Sequence, residues 1–85
     1  MTSEEVRGRI RAHVRAHFPL ARARDVGDED SLLDAQVIDS LGILELVAYV
    51  EQAFAIAVGD DDLTAENFQS IAALARFVER RRSAP

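Results

Sequence analysis

Three stretches of this chain repeat apolar residues at close to four-residue intervals, and no stretch alternates apolar with polar. Val6, Ile10, Val14 and Phe18 draw the first stripe. Leu46, Val50 and Phe54 draw the second, with Ile43 and Val47 beside it, and Ile71, Leu74, Ala75 and Val78 draw the third. A spacing near 3.6 lines up one face of a helix, whereas a strand needs period two. Residues 53–58 are apolar enough for a strand, but a lone strand has nothing to pair with. The expected fold is therefore all-α: a small four-helix bundle of three longer helices and one short one, in a single domain over residues 1–85.

Punctuation sets the boundaries. Thr2 followed by Glu5 has capping-box spacing, and Pro19 disfavours helical geometry at Phe18, so the first helix is expected to stop about there. Residues 20–38 show no sustained period and are expected to be an irregular but pinned segment. In it Leu32, Leu33, Val37 and Ile38 would reach the core, while Asp28, Glu29, Asp30 and Asp34 stay in water. The second helix is expected from Asp39 or Ser40 to about Phe54. Thr64 is an N-cap with Leu63 and Phe68 as its hydrophobic staple, and Ser70 caps the last helix. The chain from about residue 80, above all Ser83-Ala84-Pro85, is expected to fray.

Charge is segregated along the chain. From residue 25 to 75 there are twelve carboxylates and no Arg or Lys, whereas six Arg lie in the first 24 residues and four in the last ten. This predicts a negative surface over the middle of the fold and basic partners for it. Arg7, Arg11 and Arg15 are expected on a wet face of the first helix. Ten Arg without interleaved aromatics, beside a surface that repels phosphate, argue against nucleic acid. The longest apolar run has six residues, far short of the roughly twenty that span a bilayer. With no cysteine and no leader-like start, a soluble cytoplasmic monomer that does not engage membranes is expected.

Several chemistries fail on spacing. His13 and His17 stand four apart, but the zinc-protease pattern needs Glu where Val14 stands, and no third ligand is in sight, so no metal is assigned. Asp28-Glu29-Asp30 and Asp60-Asp61-Asp62 lack the register of a calcium loop. Ser40 with a histidine and Asp39 would make a hydrolase triad only with a nucleophile elbow, which is missing, so no catalytic residue is assigned.

Asp39-Ser40-Leu41 is a serine set at the start of an apolar helix, among carboxylates, after a long pinned segment. An Asp-Ser pair in that place is ordinarily just a cap. The wording around it is more specific. Val37-Ile38-Asp39-Ser40-Leu41-Gly42-Ile43-Leu44-Glu45-Leu46-Val47 resembles the phosphopantetheine attachment site of acyl carrier proteins. Phe54-Ala55-Ile56, Asp62-Leu63, Asn67-Phe68-Gln69-Ser70-Ile71, Leu74 and Phe77-Val78 follow that family in order and spacing, so the likeness spans about residues 30–80.

The resemblance implies a discrete, non-catalytic carrier whose Ser40 hydroxyl is esterified by 4′-phosphopantetheine, donated from coenzyme A by a phosphopantetheinyl transferase. The arm ends in a thiol that holds cargo as a thioester. Asp39 and Leu41 flank the attachment site, and Leu44, Glu45, Ala48 and Glu51 match positions where carriers meet enzymes. The partners implied are a loading ligase or acyltransferase and downstream synthases with basic docking surfaces. An aminoacyl or peptidyl carrier shares the same chemistry, and an unmodified helical adaptor would share the fold. Gln36 stands where many relatives have glycine, and Gly42 and Gln52 stand where acids are found in fatty-acid-type carriers; the Leu41-Gly42-Ile43-Leu44 and Asn67-Phe68-Gln69-Ser70-Ile71 wording looks closer to stand-alone carriers of secondary metabolism or of ligase-loaded systems.

Overall fold

The Thr2 hydroxyl accepts a 3.2 Å hydrogen bond from the Glu5 amide and opens helix α1, Ser3–His17, in a computed structural model that describes residues 2–33 and 38–83. Val6, Ile10 and Val14 are fully buried along it, and Phe18 packs against the core at its end. Phe18 is extended (φ −124°, ψ 97°), as the following proline requires. The chain does not stay irregular afterwards. Pro19 takes the first position of a short helix, α2, Pro19–Ala23. A proline there loses no hydrogen bond and arrives with its φ already set, so the residue that ends one helix starts the next.

Helix α3, Ser40–Phe54, buries Leu46, Val50 and Phe54 and half-buries Ile43 and Val47. It ends on Ala55 at φ 54°, a left-handed position usually given to glycine. The Glu51 carboxylate steadies this turn by accepting a 2.9 Å bond from the Val58 amide. A 3₁₀ turn at Asp60–Asp62 leads to helix α4, Ala65–Phe68, capped by the Thr64 hydroxyl. Helix α5, Ile71–Ser83, is capped by buried Ser70, whose Oγ accepts from the Ala73 amide at 3.0 Å. It packs most extensively on α1. Among the described residues there is no strand.

Helix α5 carries regular structure through Ser83, and Ala84 and Pro85 of the tail expected to fray lie outside the described residues. Arg81 pairs with Asp62 and lies 5.3 Å over the Phe77 ring, and Arg80 donates to Asn67. These contacts hold the last turns on the body of the fold.

The connection before α3 is pinned as expected, with Leu32 and Ile38 buried and the Leu32 and Ala72 amides bonded to the Gln69 and Asp28 carbonyls at 2.7 and 2.8 Å. Glu29 and Asp30 stay in water as expected, but Asp28 does not. Arg11 grips Asp28 with two parallel bonds of 2.7 and 2.6 Å, and Arg7 lies 3.8 Å from the same carboxylate. Arg15 reaches Asp25 at 2.8 Å. The arginine face of α1 is therefore half-covered, and Asp28 is only 18% exposed, because a part-buried carboxylate needs a partner and the fold brings α1 alongside. The negative surface is smaller than the linear charge map implied. Asp34, Gln36 and Val37 lie outside the described residues.

Candidate functional site

Asp39 is extended and its side chain accepts a 2.8 Å bond from the Gly42 amide, which makes it the N-cap of α3 and Ser40 the first helical residue. The cap spends the acid in front of the serine on the backbone. Gly42 is buried in the same turn, where an added Cβ would lie 2.7 Å from Ile38 Cγ2 and 2.9 Å from Phe18 Cε1. The glycine thus lets the start of α3 close on the end of α1, a role that helix propensity alone does not reveal.

From this start the helix turns two faces outward. Leu41 and Leu44 are 75% and 58% exposed, large values for leucine, and Ala48 is exposed beside them. Glu45 lies on the same outer side and meets His13 Nε2 of α1 with both carboxylate oxygens at 3.0 Å. His17, the next turn along α1, stacks on His13, and Glu45 of α3 brings the two histidines a third possible ligand that the sequence did not place beside them. Glu51 sits differently: it is half-buried and bonded to Val58, which gives it a structural role that its spacing did not show. A cavity of about 150 Å³ lies between α3 and α4, lined by Leu33, Ile43, Leu63, Thr64, Ala65 and Phe68.

The start of α3 is a place where an anion is stabilised. The opening amides of a helix lack intrahelical partners, and its dipole presents positive charge there. Among the described residues, no helix is long and apolar enough to cross a membrane.

Comparison with curated proteins gives no match. A family model described as the phosphopantetheine attachment site matches residues 9–78, from the first helix through most of α5. With the helical fold and the capped serine at the head of α3, that match covers the greater part of the chain: it belongs to the phosphopantetheine attachment site family, the non-catalytic acyl-carrier-type domains that bear covalent 4′-phosphopantetheine.

Proposed function

We propose that Ser40 carries the phosphopantetheine and that the chain is an acyl carrier protein, holding acyl groups as thioesters on that arm. The observation that carries the assignment is the setting of the serines within the matched region, which are Ser31, Ser40 and Ser70. Ser70 is 4% exposed and its hydroxyl caps α5, so a transferase has no approach to it. Ser31 lies outside any helix, without the helix dipole that favours a phosphodiester. Ser40 opens α3 between exposed Asp39 and exposed Leu41.

Acyl rather than aminoacyl cargo is supported by the mostly apolar lining of the cavity beside α3, which a hydrocarbon chain would fill without stranding a polar group. Leu41, Leu44, Ala48 and Glu45 form the docking surface for the transferase, the loading enzyme and the synthases. Glu51 contributes less than its position suggested, being engaged at the α3 C-terminus. A monomer in the cytoplasm, serving secondary metabolism through a ligase or acyltransferase, belongs to the same reading. Incubating the transferase-modified protein with fatty acids and amino acids, each with ATP and a matching ligase, separates the two cargo classes by mass. Acyl adducts without aminoacyl adducts support the assignment, and the reverse pattern overturns it.

A further inference from the structure

His13 and His17 occupy successive turns of α1 with their rings stacked, centroids 4.2 Å apart and 26° between planes. Glu45 comes to them from α3, thirty-two residues along the chain from His13. One ligand atom from each of the three lies within 4.8 Å of the other two. We propose that His13, His17 and Glu45 form a site for a divalent transition-metal ion of the zinc class, bridging α1 and α3. The proposal is independent of the carrier assignment.

The distances suit the metal. Zinc bonds of about 2.0–2.1 Å in a tetrahedron set neighbouring ligand atoms about 3.4 Å apart. His13 Nε2 and the Glu45 oxygens are at 3.0 Å, close to that spacing, while the wider limit of 4.8 Å across the three means that the exposed His17 ring turns out of its stack as the ion enters. Binding requires the proton of His13 to sit on Nδ1, leaving the Nε2 lone pair to the metal. Two imidazoles and one carboxylate favour zinc-like ions over magnesium or calcium, which prefer all-oxygen shells. Three protein ligands leave a fourth position for water.

The surroundings hold His13 in place. The His13 ring lies between His17 and Tyr49, whose centroid is 3.8 Å away at 16°, with Phe18 edge-on at 6.5 Å. The Tyr49 hydroxyl donates to the Arg9 carbonyl at 3.1 Å, which fixes the ring that stacks on His13. His13 is nearly covered, with its side chain 10% exposed, while His17 and Glu45 are open to solvent and give the ion a path in. The site has no general base at position 14, so its role is binding rather than hydrolysis. Occupancy ties the first helix to the third and removes the charge of Glu45 from the outer face of α3.

The test is calorimetric titration of the full chain with zinc chloride alone, with melting curves in zinc and in magnesium. The expected result is one zinc per chain, a melting temperature that rises with zinc concentration, and no comparable rise with magnesium. His17→Ala is expected to melt like the parent without metal, since His17 is exposed, and to lose the saturable zinc response. Glu45→Gln, a near-isosteric change, is expected to weaken zinc binding while leaving the fold unchanged. Zinc binding by both variants at parental affinity, or an equal response to magnesium, would overturn the proposal by assigning the ions to scattered carboxylates.

Discussion

Asp39 Oδ1 accepts the Gly42 amide at 2.8 Å, so the residue in front of the proposed attachment serine, and not the serine, caps α3. Position and chemistry are thereby divided between neighbours. Asp39→Ala is expected to lower stability by about 0.5–2 kcal/mol through loss of the cap. Ser40→Ala is expected to leave stability within about 0.5 kcal/mol of the parent, since the cap remains. Urea melts of both variants check the contrast.

Gly42→Ala sets helix propensity against packing. Alanine gains about 1 kcal/mol over glycine in a helix, and less in a first turn. Its methyl would meet Ile38 Cγ2 and Phe18 Cε1 at 2.7 and 2.9 Å, and overpacking of that kind costs about 1–3 kcal/mol. Packing wins. A melting temperature below the parent's is expected, and an increase would show that α1 and α3 separate easily at this point.

Acid is expected to weaken the hold of α1 on the connection before α3. The Arg11 hydrogen bonds keep the Asp28 carboxyl below its ordinary range, with burial opposing them. A carboxyl depressed in the folded state adds stability above its unfolded pKa of about 3.9, and loses it as pH falls through the lower folded value. Both side chains are partly exposed, so the contribution is about 1 kcal/mol rather than that of a buried pair. Asp28→Asn is expected to melt below the parent at pH 6, with the gap closing below about pH 4.

Docking separates by range. Glu45→Lys is expected to raise the transferase KM at low salt, with the effect shrinking as salt screens the attraction. Leu41→Ala is expected to raise KM at all salt concentrations without lowering the melting temperature, because Leu41 is exposed and its contact is short-range. Glu51→Lys is expected to destabilise the end of α3 through loss of the Val58 bond. Leu46→Ala, at a fully buried position, is expected to cost about 2–5 kcal/mol. Transferase kinetics at two salt concentrations, with melts alongside, sort all four.

The long helices and their caps were legible in sequence because each is a local pattern. The stripe through Val6, Ile10 and Val14, the stripe through Leu46, Val50 and Phe54, and the caps at Thr2, Thr64 and Ser70 are all where spacing put them. Helix α2 was not legible, since five residues cannot display a period and Pro19 was taken only as a stop. The pairings of Arg11 with Asp28, Arg81 with Asp62, and His13 with Glu45 join different elements. A charge map along the chain does not say which helix lies opposite which. Leu41 and Leu44 lie off the stripe of Leu46, Val50 and Phe54, so their outward face is readable from α3 alone, while the structural duty of Glu51 depends on Val58 beyond the helix and is not.

Ser40 is the residue proposed to bear the phosphopantetheine. Incubating the parent and Ser40→Ala with coenzyme A and a broad-specificity phosphopantetheinyl transferase, followed by intact mass measurement, tests it most directly. A gain of one phosphopantetheinyl group is expected on the parent, and none on a folded Ser40→Ala variant. An unmodified parent, or a variant that gains the same mass, would contradict it.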